Sequence, residues 1–187
     1  MPVQILFIQG AGEGVHDRWD SRLVESLERE LGEGFVIRYP QMPNEGSPTY
    51  SVWKAALLCE FRSLEDGTIF VGHSVGATVL LHTLADEPSS TNPAAVVLIA
   101  APFIGKEGWS SDDIKERSDF RGLLPQDAPI FLYHGIEDQI VPVQHARLYA
   151  KAIPQAVVRT LAHRDHQLNN SLKEIAEDIR STAYAGM

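Results

Sequence analysis

Six short runs of apolar and β-branched residues recur along the sequence, with helical patterns between most of them. Most of the runs are continuously apolar, which is typical of strands that are buried on both faces of a parallel sheet. The alternation of strand and helix therefore predicts an α/β fold with a mainly parallel sheet. The six predicted strands are Val3–Ile8, Phe35–Tyr39, Thr68–Val71, Ala94–Ala100, Ile130–Tyr133 and Ala156–Leu161.

Two of the helical patterns indicate how the helices pack. In "WDSRLVESLERELG", Leu23, Leu27 and Leu31 lie four residues apart, and Gly32 predicts the end of the helix. The segment "VGATVLLHTLAD" is apolar nearly all round and is expected to be the most buried helix. Helices on both faces of the sheet give a three-layer, doubly wound architecture.

No internal repeat, low-complexity tract or linker divides the sequence, so residues 1–187 are expected to form a single domain. The longest irregular segment, Ala101–Pro129, is too short for a folded cap domain. A short helix is predicted within it, near Asp112–Arg117.

Charge and cysteine content exclude several classes of protein. The formal net charge is -9 and no basic stripe is present, so we expect no nucleic-acid partner. The one cysteine, Cys59, cannot form an internal disulfide, which favours a reducing compartment, and we expect it to be buried on a helix. The N-terminal apolar run is too short for a signal peptide or a membrane span, which predicts a cytoplasmic protein without a membrane partner.

The stretch "GHSVG" (Gly72–Gly76) places Ser74 between a predicted strand and a predicted helix. A strand that reverses sharply into a helix holds such a serine in a strained conformation, with its hydroxyl exposed. Larger side chains two residues before and after the serine would collide, so glycine is needed at both positions. The pattern predicts that Ser74 is a nucleophile, although a tight turn with an N-capping serine would also fit it.

A nucleophilic serine needs a base and a carboxylate that orients the base, and in this architecture their order along the chain is serine, carboxylate, histidine. Asp138 follows the fifth strand, at the carboxyl end where sites form in open α/β sheets, and is preferred to Glu137. The rival carboxylates precede that strand; they are Asp112, Asp113 and Asp127.

The candidate bases lie in "TLAHRDHQLNN", between the sixth strand and the last helix. His166 is preferred, and the spacing after Asp138 leaves room for one helix and one strand. His163 remains an alternative, and Asp165 could pair with it. His16, in the first glycine-rich loop, could contact substrate.

The loop "QGAGEGVH" after the first strand should supply one donor of an oxyanion hole, and its glycines allow close approach of the backbone. Ala11 N–H is the first candidate and Gly12 the second, with Val75 N–H as the companion donor. A dinucleotide site is rejected, because Val15 stands where the glycine motif requires glycine. We therefore expect no cofactor. The segment "HRDH" could suggest a metal site, but no motif places a third ligand, so we expect no metal ion.

Four apolar residues in the loops that follow the strands could form an acyl pocket, although ordinary loop packing would explain them equally well. They are Met42, Phe103, Ile104 and Trp109.

In this order, "GHSVGA", the aspartate of "GIEDQIVP" and the histidine of "RDHQL" resemble the α/β-hydrolase superfamily. The opening "QGAGEG" with Trp19, then "YPQMPNEG" and "SVWKAAL", is similar to the small serine hydrolases of the YdeN and retinoblastoma-binding-protein type. The resemblance implies a sheet ordered 2-1-3-4-5-6 without the family's antiparallel start and without a cap domain. It also implies Ser74, Asp138 and His166 as a catalytic triad.

The expected function is a serine hydrolase that cleaves small or medium acyl esters or thioesters through an acyl-enzyme. The alternative is a catalytically idle protein of the same fold that acts as a protein-binding module. The sequence does not predict the oligomeric state.

Overall fold

Six parallel strands form one sheet in the computed structural model, which describes residues 2–87 and 91–185. The strand order is β2-β1-β3-β4-β5-β6, and every adjacent pair is parallel. The predicted fold class and strand order are confirmed. The strands are β1 (Val3–Ile8), β2 (Phe35–Arg38), β3 (Ile69–His73), β4 (Ala95–Ile99), β5 (Ile130–Gly135) and β6 (Val157–Leu161).

Helices cover both faces of the sheet because successive side chains of each strand point to opposite faces. On one face, Phe70 of β3 lies in the core that includes the second, third and fourth helices. On the other face, Ile69 and Val71 lie in the core that includes the first and last helices. The helices are α1 (Ser21–Leu31), α2 (Tyr50–Phe61), α3 (Ser74–Asp86), α4 (Gln144–Ala152) and α5 (Lys173–Ala185).

Helix α3 is central to its layer, as its apolar sequence predicts. Ten of its thirteen residues are buried, so almost no part of its surface faces solvent. Its N-terminus directly follows β3, and the chain passes from strand to helix at Ser74. The carboxyl edge of the sheet is therefore where functional side chains should be sought.

The prediction that Cys59 is buried is wrong, because its side chain is exposed. Helix α2 buries Trp53, Leu57 and Phe61, which lie four residues apart on one stripe. Cys59 lies two residues from Leu57, on the opposite side of the helix.

The predicted helix near Asp112–Arg117 is also absent: residues 112–114 form bends and residues 115–117 have no regular secondary structure, all six being described. Side chains compete with helical hydrogen bonds here. Asp113 accepts hydrogen bonds from the Ser111 hydroxyl at 2.8 Å and from the Tyr50 N–H at 2.5 Å. No cap domain interrupts the described residues, and none of the helices among them is long and apolar enough to cross a lipid bilayer.

Histidine 82 makes the stability of this fold dependent on pH. His82 is 2% exposed on α3, and its ring packs edge-on against Phe120 with centroids 5.2 Å apart. Burial, together with the positive charge of Arg117, lowers its pKa from 6.5 to about 4. Between these pH values the unfolded chain binds a proton that the folded chain does not, so the free energy of unfolding falls as the pH falls.

Replacing His82 with phenylalanine should remove this loss, which amounts to about 3 kcal/mol between pH 7 and about pH 4. Urea unfolding at several pH values in that range measures how steeply the free energy of unfolding changes with pH. The control is His163→Gln, at a side chain that is 90% exposed, which should retain the wild-type slope. An equal slope in His82→Phe and wild type would contradict the assignment.

Candidate active site

The turn from β3 into α3 holds Ser74 in a left-handed conformation, with φ of 51°. The glycines on either side have no room for a side chain. A Cβ on Gly76 would lie 2.0 Å from the carbonyl oxygen of Gln9, and one on Gly72 would lie 2.6 Å from the Cα of Ala77. Because both close atoms belong to the backbone, this strained turn requires glycine at both positions.

Ser74, His166 and Asp138 form a continuous hydrogen-bonded chain. The Ser74 Oγ lies 3.0 Å from His166 Nε2, and His166 Nδ1 lies 2.8 Å from Asp138 Oδ2. The carboxylate accepts from Nδ1–H, which leaves Nε2 free to accept the hydroxyl proton of the serine. The arrangement can therefore remove a proton from Ser74 and return it to a leaving group.

The Asp138 carboxylate is buried and ionised. Its Oδ1 accepts hydrogen bonds from the backbone N–H groups of Ile140 and Val141, each at 2.9 Å. Its Oδ2 lies 3.2 Å from the Nε2 of His134, a residue of β5. Burial opposes ionisation, but the hydrogen bonds from His134 and His166 hold the pKa of Asp138 well below its usual range. A fixed negative charge therefore faces His166 at neutral pH.

The loop that carries His166 packs directly against the end of β5. A Cβ on Gly135 would lie 2.2 Å from the carbonyl oxygen of Arg164 and 2.4 Å from that of Asp165. The N–H of Glu137 donates to the same Arg164 carbonyl at 2.9 Å. Gly135 is thus required for the base and the carboxylate to meet.

The imidazole of His166 is in the protonation state that a base requires. Burial lowers its pKa, whereas the hydrogen bond to Asp138 raises it, and the net shift is downward from 6.5. The ring is consequently neutral at pH 7, and Nε2 carries a lone pair toward Ser74.

The alternative base and acids lie elsewhere. His163 is exposed, and its Nδ1 lies 2.9 Å from Glu137 Oε1 at the rim of the site. Asp113 contacts the start of α2, and both Asp112 and Asp127 are exposed. His16 stacks on Tyr39, with ring centroids 4.2 Å apart. The hydrogen-bonded chain that starts at Ser74 therefore contains His166 and Asp138 and none of these other residues.

The loop after β1 lies beside Ser74. The Gly12 N–H donates to the carbonyl oxygen of Glu45 at 2.7 Å, whereas the Ala11 N–H makes no hydrogen bond within the described part of the chain. Ala11 lines the same cavity as Ser74. Val75 lies in the first turn of α3, where N–H groups have no partner within the helix.

Glu45 shapes this loop and was not found by sequence reasoning. Its carboxylate accepts hydrogen bonds from the N–H groups of Gly14 at 2.7 Å and His16 at 3.0 Å, and from Gln9 Nε2 at 2.5 Å. Burial opposes ionisation, but these bonds keep the pKa of Glu45 below its usual value. No local motif marks Glu45, because its partners come from a loop about thirty residues earlier.

A second histidine–carboxylate pair lies beneath the site and was also missed. His73 Nδ1 lies 2.9 Å from Asp20 Oδ2, and the two side chains are 1% and 0% exposed. The serine motif sets no requirement on the residue at the position of His73, and no motif in the sequence marks Asp20.

A cavity of about 520 Å³ opens at Ser74 and His166. Its apolar lining includes Val15, Trp19 and Ile140, of which the last two are 53% and 62% exposed. An apolar group that is attached to a reacting carbonyl can therefore be covered beside the nucleophile.

The predicted acyl pocket does not form at this cavity. Met42 and Phe103 are 2% and 5% exposed and belong to the core between the sheet and α2 to α4. The Met42 N–H donates to the buried Gln9 side chain at 2.9 Å, which holds this segment inward. Ile104 and Trp109 line a separate cavity of about 160 Å³ that also contacts Val75.

The sequence matches the model of the Alpha/beta hydrolase family over residues 5–182. No curated protein sequence matches it significantly. The ydeN gene product of B. subtilis has a similar structure, with a TM-score of 0.72 and 20% identity over 96% of this chain and 98% of that chain.

Two further solved structures share the fold. A Xanthomonas campestris protein described as an a/b serine hydrolase without lid has a TM-score of 0.64 and 18% identity, over 100% of this chain and 83% of its own. A monoacylglycerol lipase of Paleococcus ferrophilus has a TM-score of 0.68 and 14% identity, over 96% of this chain and 94% of its own.

Replacing Gly76 with alanine should destabilise the protein by at least about 2 kcal/mol, because the new Cβ collides with the Gln9 backbone. Urea unfolding measures the loss. Gly46→Ala is the matched control, since its new Cβ would lie no closer than 3.6 Å to any neighbour. Equal stability of the two variants would show that the turn tolerates a side chain at residue 76.

Proposed function

This chain belongs to the alpha/beta hydrolase family, and from that premise we propose that it is a serine hydrolase acting on small or medium acyl esters or thioesters. The family match supports hydrolase activity in general. The observation that carries the finer proposal is the 3.0 Å contact between Ser74 Oγ and a neutral His166 that is held by the Asp138 carboxylate. This contact gives a serine the base that it needs to act as a nucleophile.

In the proposed reaction, His166 Nε2 takes the hydroxyl proton while Ser74 Oγ bonds to the carbonyl carbon of the substrate. The N–H groups of Ala11 and Val75 donate to the resulting oxyanion. His166 then protonates the leaving alcohol or thiol as the carbon–oxygen or carbon–sulfur bond breaks. Water, deprotonated by His166, attacks the acyl-enzyme, and collapse of the second intermediate releases the acid and returns the proton to Ser74.

The surroundings of Ser74 support an uncharged, partly apolar substrate. The described residues form no cap over the site, and Trp19 and Ile140, both exposed, line its cavity. Carboxylates of Glu137 and Asp165 also line it, and they disfavour an anionic substrate. The lidless serine hydrolase and the monoacylglycerol lipase of the same fold are consistent with an ester substrate.

A fluorophosphonate probe tests the nucleophile directly, because it reacts with an activated serine and needs no knowledge of the natural substrate. The wild-type protein should be labelled at Ser74, and Ser74→Ala should not be labelled. With a p-nitrophenyl ester, Ser74→Ala and His166→Ala should lower kcat by about 10⁴–10⁶.

His163→Ala is the matched control and should retain nearly the wild-type rate, since His163 contacts Glu137 at the exposed rim. Failure of the wild-type protein to react with the probe would favour an idle site that serves binding. Loss of activity in His163→Ala would instead move the base to that residue.

The role of Trp19 can be tested with p-nitrophenyl acetate, butyrate and octanoate. Trp19→Ala should raise KM for the longer esters by about tenfold and change the acetate values little, since each buried methylene contributes about 0.8 kcal/mol. Trp109→Ala is the control because Trp109 lines the other cavity. Equal effects of the two variants on octanoate would remove Trp19 from substrate binding.

A further inference from the structure

The buried pair of Asp20 and His73 has partners on both sides of the imidazole ring. His73 Nδ1 lies 2.9 Å from Asp20 Oδ2, and Nε2 lies 3.1 Å from the main-chain carbonyl oxygen of His166. Both ring nitrogens therefore face oxygen atoms inside the protein, away from water.

These partners determine the charge of the ring. A carbonyl oxygen can only accept a hydrogen bond, so Nε2 must carry a proton. The Asp20 carboxylate also accepts from the Gly10 N–H at 2.7 Å and from Gln167 Nε2 at 3.2 Å, and both bonds stabilise its ionised form. An ionised Asp20 needs a donor at Nδ1, which makes His73 a doubly protonated imidazolium.

Electrostatics agree with this assignment. Burial opposes the charge on His73, but the adjacent Asp20 carboxylate raises the pKa of the imidazole above 6.5. Burial likewise opposes the charge on Asp20, whereas the His73 cation lowers its pKa below 3.8. Each charge stabilises the other in a region that excludes water.

The pair connects three segments that are far apart in the sequence. Asp20 holds Gly10, at the start of the loop that contains Ala11. His73 directly precedes the nucleophile and holds the main chain of His166. Asp20 also holds Gln167, the residue after the base.

The His73 ring also lies close to the His166 ring, with centroids 4.9 Å apart. A positive charge at this distance disfavours a second proton on His166. The Asp138 carboxylate acts in the opposite direction, since it favours the protonated form.

We propose that Asp20 and His73 are positioning residues whose charged pair joins the Ala11 loop to the His166 loop, and that the His73 cation keeps His166 neutral. This inference deepens the proposed function and rests on it. It makes the His73 cation, which lies beside the His166 ring, one of the charges that set the pH range in which His166 can act as a base.

Other charged groups around His166 set the sign of the expected change. Those that face the ring or its cavity are His73 from β3, Asp20 from the short π-helix His16–Asp20 before α1, Asp138 and Glu137 from the loop after β5, and Asp165 from its own loop. His134 contacts Asp138 from β5, and Arg164 is held by Glu174 of α5. Loss of the His73 charge removes the cation that opposes Asp138 and, where it stays ionised, Asp20, so we expect the pKa of His166 to rise.

The test is His73→Gln, which removes the charge and keeps an amide that can donate to the His166 carbonyl. The acid limb of kcat/KM for a p-nitrophenyl ester should move upward by about one pH unit. His82→Gln is the matched control, because His82 is another buried histidine of this region and has no contact with His166. An acid limb that is unmoved in His73→Gln would overturn the proposal.

A second measurement does not depend on activity. Nitrogen-15 NMR of the imidazole rings should show both nitrogens of His73 protonated at pH 7, with the signals assigned by their loss in His73→Gln. The same spectra should show a higher pKa for His166 in the variant. A neutral His73 at pH 7 would overturn the proposal even if the variant were too unstable to assay.

The fluorophosphonate experiment separates this proposal from the proposed function. If the wild-type protein is labelled but His73 is neutral, the charged pair is refuted and the hydrolase stands. If His73 is an imidazolium but Ser74 is not labelled, the serine hydrolase is refuted, and the effect on His166 is then decided by its NMR titration.

Discussion

The backbone contact between Gly76 and Gln9 is the constraint on which the site depends. Because Gly76 has no Cβ, the first turn of α3 can lie against the end of β1. That contact forces the reversal in which Ser74 adopts a positive φ, and it brings the loop after Gln9 beside the serine. One close approach therefore positions Ser74 and the backbone of the Ala11 loop beside it. The parallel sheet completes the arrangement, since β5 and β6 end at the same edge and deliver Asp138 and His166.

The fold could be predicted because its signals are local and repeated. Continuous apolar runs indicate strands that helices cover on both sides, and the resemblance supplied the order in which they pair. The predictions that are wrong concern residues whose structure depends on where they lie relative to the core. The apolar neighbourhood of Cys59 did not reveal that its side chain lies off the buried stripe of α2. Near Asp113, a contact with Tyr50 from a distant part of the chain replaces the helical pattern.

The site could be predicted only in part, for a related reason. Ser74 lies in a motif whose residues are adjacent, and Asp138 and His166 follow strands whose ends could be located. An apolar loop residue such as Met42 fits a substrate pocket and ordinary packing equally well in the sequence, and the hydrogen bond to Gln9, which holds its segment in the core, decides for packing. Glu45 had no signal at all, since its role consists of hydrogen bonds to backbone groups of another loop. Such residues become visible only when the loops are brought together.

The two histidine–carboxylate pairs show how a partner atom decides what an imidazole can do. In both, Nδ1 faces a buried carboxylate, at 2.8 Å for His166 and 2.9 Å for His73. The difference lies at Nε2. His166 meets a hydroxyl, which can donate, so the ring can be neutral and can take a proton. His73 meets a carbonyl oxygen, which cannot donate, so the ring must keep both protons. The same side chain is thus suited to act as a base in one pair and to hold a fixed positive charge in the other.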